Sequence, residues 1–143
     1  MSDTAKTADG ACYCGAVRFR VTLPSRFCAH CHCNNCRRAH GAAFVTWAGF
    51  RDEQFTLLEG AGELRRFETD TGATRSFCGR CGTTLLYQSP RWAGEVHVAL
   101  ANIADPIDRP PQAHVYVDHR AAWWTIDDDL PLYGGTTGTE KKA

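Results

Sequence analysis

The 143-residue sequence predicts an all-β, β-dominated fold built from short antiparallel strands. Three observations lead there. Apolar residues recur with period two over most of the chain, Gly, Pro and Asp punctuate the runs, and no segment sustains a long amphipathic helical pattern. Eight cysteines grouped at short spacings add the expectation that bound metal pins the strands together. With no internal repeat and no dividing linker, a single domain over residues 10–135 is expected, flanked by disordered tails at 1–9 and 136–143.

The first strand is AVRFRVTL, where Val17, Phe19 and Val21 face one way and Arg18 and Arg20 the other. Cys28-Ala29-His30 reads as a strand entering the crowded stretch CAHCHCNNCRRAHG. A short helical turn over Asn34 to Ala39 follows, ended by Gly41. AFVTWAGF (Ala43 to Phe50), QFTLL, ELRRFET, TTLLYQ, EVHVAL and AHVYV then read as further strands. A chain of this length buries its own core, so metal is not needed merely for a fold to exist.

Lysine plus arginine equals aspartate plus glutamate, 16 each, giving a formal net charge of zero. Nucleic acid is therefore not the expected partner, because phosphate binding normally shows as a basic excess. No apolar run approaches the roughly 20 residues of a membrane span. The opening MSDTAKTADG lacks the apolar core of a signal peptide, which predicts a cytoplasmic protein.

In a reducing cytoplasm, eight cysteines are expected to be thiolate ligands rather than disulfides. They come as CYC (Cys12, Cys14), CAHCHCNNC (Cys28, Cys31, Cys33, Cys36) and CGRC (Cys78, Cys81). Two cysteines one residue apart are poorly placed to bridge each other, and a redox CxxC calls for a βαβ setting that is absent here. CGRCG is a knuckle whose glycines, Gly79 and Gly82, let backbone N–H groups approach the sulfurs. CYCG is its natural partner pair. Cys12, Cys14, Cys78 and Cys81 would then share one tetrahedral zinc, closing about 65 residues of chain. The remaining four thiols leave two possibilities: a second closed site of four, or three ligands with the fourth position open to water or a substrate sulfur.

GACYCGAVRF, CHCNNCRRAHGAAF, RSFCGRCGTTL and the late AHVYVDHRAAWW followed by LPLYGG, in that order, resemble the glutathione-dependent formaldehyde-activating enzymes and their centromere-protein-V (GFA/CENP-V) relatives. The resemblance runs from about Gly10 to Gly135 and implies a β-tent, antiparallel sheets pinned by zinc. It implies a structural zinc on Cys12, Cys14, Cys78 and Cys81, and a second zinc on Cys31, Cys33 and Cys36 that meets a thiol substrate. Cys28 departs from the usual block and is expected to be a small buried hydrophobe.

An open three-thiolate zinc is suited to bind another sulfur. A thiol activated there can add to a small carbonyl such as formaldehyde, and the reverse reaction splits the same C–S bond. The expected activity is therefore that of a carbon–sulfur lyase, with two zinc ions as cofactors and a thiol such as glutathione and a small aldehyde as partners. His32, between two ligands, is the candidate for moving the proton, against the plainer reading in which it bonds a backbone carbonyl. His30 takes that plainer reading. Arg37 is the candidate for a substrate carboxylate; Arg38 reads as surface charge. Trp47, Trp123 and Trp124 read as packing groups that could line a pocket. His97 and His114 read as exposed or pocket-edge residues on strands, and His40 as part of a turn. The alternatives are a non-catalytic thiol carrier and a structural two-zinc interaction domain.

Overall fold

The computed structural model describes residues 6–142. The chain is β-dominated, and two compact units can be separated within it. Residues up to Arg26 together with Ala48–Asp108 form the first; Phe27–Trp47 and the residues from Arg109 onward form the second. Strands are numbered along the chain. They begin with β1 (Thr7–Ala11), β2 (Arg18–Thr22) and β3 (Phe27–Cys31), then the helix α1 (Asn34–His40) and β4 (Val45–Arg51). Next come β5 (Phe55–Glu59), β6 (Leu64–Glu68), β7 (Thr74–Cys78), β8 (Thr84–Gln88) and β9 (Glu95–Ala99). The last three are the two-residue strands β10 (His114–Val115), β11 (Tyr133–Gly134) and β12 (Glu140–Lys141).

In the first unit β1, β2 and β5 form an antiparallel sheet, while β6, β7, β8 and β9 run antiparallel in that order. The alternation read in β2 is realised: Val17, Phe19 and Val21 are buried and Arg18 and Arg20 exposed. These side chains join Ala48, Phe50, Leu85, Val96 and Val98 in one core. Each large apolar group fully removed from water there contributes about 1.5–3 kcal/mol. Cys12 and Cys78 belong to the same core, so the thiols of the first group are built into the packing. Gly10 is required where β1 crosses this core: a Cβ would lie 2.4 Å from the Phe19 ring and 2.3 Å from the Asn102 carbonyl oxygen. The charges on the outer face pair across strands, Arg20 with Asp9 at 2.7 Å and Arg18 with Glu59 at 3.9 Å. These are exposed ion pairs, each contributing little to stability.

The second unit carries β3, α1, the start of β4, and β10 to β12. Here the expectation of antiparallel strands meets an exception. β10 pairs with β3 in parallel, His114 opposite His30 and Val115 opposite Cys31. A period-two pattern reports which residues face the core, but carries no direction, and a parallel partner so distant in sequence leaves no turn signature. The expected tail is also partly built in. β12 returns to pair with β11, and the Lys142 ammonium meets Asp118 at 2.7 Å. At the other end β1 starts at Thr7, with Ala8 fully buried. Polar composition suggested disorder, but backbone ladders need no apolar side chains. Residues 1–5 and 143, also expected to be disordered, lie outside the described residues.

Candidate metal centres

The first group forms where two turns of the first unit meet. After β1 the chain reverses through Cys12–Val17, closed by Cys12 N–H to the Val17 carbonyl at 3.0 Å. After β7 it reverses through the CGRCG knuckle, where Gly82 N–H donates to the Cys78 carbonyl at 2.8 Å. Gly82 sits at φ +81, a left-handed conformation that favours glycine. The Tyr13 N–H donates to the Thr83 hydroxyl at 3.0 Å and ties the two turns together. The sulfurs of Cys12, Cys14, Cys78 and Cys81 all lie within 4.8 Å of one another. Cys12 and Cys14 are 3.7 Å apart, Cys14 and Cys78 3.8 Å. Four sulfurs about 2.3 Å from a central zinc would sit about 3.8 Å apart along each tetrahedron edge, so the donor set fits.

Backbone N–H groups point at these sulfurs, Val17 to Cys12 and Arg80 to Cys78, both at 3.3 Å. Such donors stabilise thiolates. The Thr83 hydroxyl, 3.1 Å from Cys81, and its N–H bring the Cys81 thiol down to about 5. Against burial and the Cys81 thiol, the Val17 N–H and the Cys78 and Cys14 thiols hold Cys12 below its ordinary value. Against the pull of the Ala16 N–H, desolvation and the other three thiols push Cys14 up to about 11. Four thiols at this distance share their negative charge unequally until a cation offsets it.

The second group is gathered by a strand end and a helix start. Cys31 closes β3, Cys33 caps α1, and Cys36 sits in its first turn. Cys33 Sγ accepts from the Cys36 N–H at 3.2 Å, a sulfur taking the place of the usual oxygen cap. Gly41 ends the helix in the left-handed conformation. The three sulfurs lie within 4.8 Å of one another, Cys31 and Cys36 buried and Cys33 half-buried. Hydrogen bonding to Cys33 and Cys36, together with burial, raises the Cys31 thiol well above its ordinary value. Cys33 is raised too: a bond to Cys31 lowers it, but Cys36 and burial outweigh that. Cys28 is fully buried on β3 and belongs to neither group.

His32 is fully buried. Its Nε2 lies 2.8 Å from His114 Nδ1, and His114 Nε2 lies 3.0 Å from the Asp128 carboxylate. Desolvation, then the charges of His114 and His30, push His32 down to about 4; His30 is lowered mainly by burial. His32 is therefore neutral at neutral pH. Asp128 also lines an open cleft of about 740 Å3, together with Asp118, Arg120, Trp124, Ile126 and Leu132. That volume is in the range of small-molecule sites.

Arg37 Nη1 donates to the His119 carbonyl at 2.9 Å and to Asn34 Oδ1 at 3.1 Å, so its guanidinium braces α1 against the turn at 117–119. Arg38 is exposed. Trp47 is buried with its ring edge-on to His40, while Trp123 is exposed and Trp124 covers Phe44. His97 and His114, read as exposed or pocket-edge residues, are both buried and hydrogen-bonded to carboxylates, His97 to Glu95 at 3.0 Å. Sequence reasoning missed the His114–Asp128 partnership. Its only local trace was a histidine on a short strand followed by an aspartate run, DDDL, and such runs are usually solvated. Among the described residues no helix is long and apolar enough to cross a membrane.

Residues 7–119 match the family described as glutathione-dependent formaldehyde-activating enzyme. A Halomonas elongata protein, provisionally named as such an enzyme, is 31% identical over 126 residues, covering 83% of this chain and 80% of its own. A Schizosaccharomyces pombe protein named an uncharacterized lyase is 27% identical over 79 residues, 55% of this chain and 56% of its own length. Among solved structures, a Rhodobacter sphaeroides protein superposes with a TM-score of 0.60 at 30% identity, covering 68% of this chain and 89% of that one.

Proposed function

The chain belongs to the family of glutathione-dependent formaldehyde-activating enzymes, and from that premise we propose that it is a zinc-dependent carbon–sulfur lyase. It forms or splits the hemithioacetal of a small thiol such as glutathione and a small aldehyde such as formaldehyde. The observation that carries this reading is the inequality of the two cysteine groups: four thiols in one, three in the other, with Cys28 joining neither. A tetrahedral ion is closed by four protein ligands and left open by three. In this reading Cys12, Cys14, Cys78 and Cys81 hold a structural zinc, and Cys31, Cys33 and Cys36 a second, substrate-facing one. Zinc bound there supplies the Lewis acidity that lets a thiol ionise near neutral pH.

The bond changes are simple. In synthesis the C–S bond forms as the carbonyl π pair moves to oxygen, and the proton lost by sulfur ends on that oxygen; splitting reverses both. The chain's residues bind and orient. Buried Cys31, His32 and Cys36 keep water from one side of the site. In this reading the body of the thiol substrate lies in the cleft walled by Trp124, Ile126 and Leu132, whose Asp128 is joined through His114 to His32, the residue between Cys31 and Cys33. Arg37, directly after Cys36, is the residue proposed to meet a substrate carboxylate; its Nη1 holds the His119 carbonyl, just as Arg120 Nη1 on the cleft wall holds the Val117 carbonyl.

The test is the rate of S-hydroxymethyl adduct formation from glutathione and formaldehyde, followed by exchange NMR with zinc-loaded protein. A rate well above that without protein is expected. Thiol binding with no acceleration would instead make the protein a carrier. A second metal indifferent to thiol would make it a structural domain.

A further inference from the structure

In the first unit the order β9-β8-β7-β6 ends at β6, and among the described residues no strand pairs with its far side. Two bonds at its ends show which backbone groups this leaves open. The Gly79 N–H donates to the Glu63 carbonyl at 2.7 Å, and the Thr69 N–H donates to the Ala73 carbonyl at 2.8 Å. Backbone direction alternates along a strand, so the odd-numbered residues of β6 bond toward β7, Arg65 opposite Phe77 and Phe67 opposite Arg75. The even-numbered residues point their N–H and C=O groups away from the sheet. Leu64 N–H is taken by the Gly60 carbonyl at 3.1 Å. The backbone groups of Arg66 and Glu68 have no partner among the described residues.

The side chains of this edge are equally unengaged. Arg66 and Glu68 are exposed, stand on the same face of the strand, and form no ion pair or hydrogen bond among the described residues. Phe67, on the other face, is 61% exposed. An open strand edge is a template for another strand, and charge is the usual guard against such pairing. Here the two residues with open backbone carry opposite charges. The guard therefore fails against one strand in particular, an antiparallel copy of itself.

We propose that β6 pairs antiparallel with β6 of a second copy of this chain, about a two-fold axis through Phe67, joining the two sheets edge to edge. Two conditions set the register. Backbone bonding requires the outward-pointing residues to face one another, so position 66 can lie opposite 66 or 68 but not opposite 67. Charge then decides, because Arg66 on Arg66 or Glu68 on Glu68 opposes like charges, whereas Arg66 on Glu68 forms an ion pair on each side of the axis. In that register the N–H and C=O groups of Arg66 and Glu68 are all used. Phe67 meets the partner's Phe67 at a non-hydrogen-bonded position, where Cα atoms are about 4.5 Å apart and side chains are closest. Such a contact is self-complementary and closed, as a two-fold dimer requires. It stands apart from both thiol groups and does not rest on the lyase reading.

Sedimentation velocity of the zinc-loaded full chain tests this, in reducing buffer so that no disulfide links the copies. The wild type should shift with concentration from the 15.8 kDa of one chain to twice that mass. Arg66→Glu gives the edge two carboxylates and Glu68→Arg gives it two guanidiniums. Each variant should raise the dimer Kd more than about tenfold, since like charges opposed across an interface cost more than that ratio. An equimolar mixture of the two variants should dimerise again, acidic edge on basic edge, and this recovery also shows that both are folded. The double variant, Arg66→Glu with Glu68→Arg, should dimerise by itself. A wild type that stays at one chain's mass would overturn the proposal. So would a dimer that either single variant leaves intact, or a mixture that remains monomeric.

Discussion

The two cysteine groups use the same side chain for different ends, and the contrast lies in their surroundings. The first joins two turns distant in sequence, with Cys14 and Cys78 separated by 64 positions, and two of its thiols are part of the main core. Backbone and hydroxyl donors reach its sulfurs from Val17, Arg80 and Thr83. The second is local, three thiols within one strand end and one helical turn, and none of them belongs to the main apolar core. A long-range group constrains the chain, so a metal held there would act on folding. A local group constrains only its own loop, so a metal held there would be available for chemistry without deciding whether the domain folds.

The sharpest way to break this comparison is Cys78→Ser. It removes a ligand and buries a hydroxyl in the core, so stability should fall by more than about 4 kcal/mol, read as the urea midpoint. Cys33→Ser should cost less than about 2 kcal/mol while removing one metal equivalent and nearly all lyase activity. Equal losses of stability in the two variants would erase the distinction between the groups. Graded chelation should give a smaller but direct signal. Zinc should leave in two steps, with the three-thiol group emptying first and the urea midpoint falling chiefly at the second step. A single step accompanied by unfolding would mean that the groups act as one.

The smallest effect concerns the metal-free thiols. Cys81, held down to about 5 by Thr83, is a thiolate above that pH and becomes protonated as pH falls through it. Cys31 is raised and stays protonated through neutrality. In metal-stripped protein, alkylation mapped by mass spectrometry should therefore modify Cys81 at pH 6–7 and spare Cys31. Faster modification of Cys31 would invert the electrostatic half of the contrast.

Much of this architecture can be read from local pattern. The alternation of Val17, Phe19 and Val21 against Arg18 and Arg20 is realised residue by residue, because period two is a property of the strand itself. The α1 turn is legible from Asn34 to its Gly41 stop, since the cap is also local. The spacings CYC and CxxC likewise foretell the first group of sulfurs, while the restriction of the second to Cys31, Cys33 and Cys36 is what the family resemblance implied. His114 was misread because its partners, His32 and Asp128, lie in other segments. The His119 carbonyl that engages Arg37 is likewise invisible in its neighbourhood of sequence.

The sequence by itself determined the strand-rich character of the chain and the short cysteine pairs from which the two thiol groups are built. Both follow from short-range rules, side-chain alternation, turn residues and the few bonds between paired cysteines; the spacing left the place of Cys28 open, and the meeting of CYC with CGRC spans 64 positions. Tertiary structure alone decided the parallel pairing of β10 with β3, the burial of His114, and the hydrogen-bonded line from Asp128 to His32. Those features depend on segments about 80 residues apart being brought into register, and hydrogen bonds at such separation follow from the packing of the whole chain rather than from any local signal.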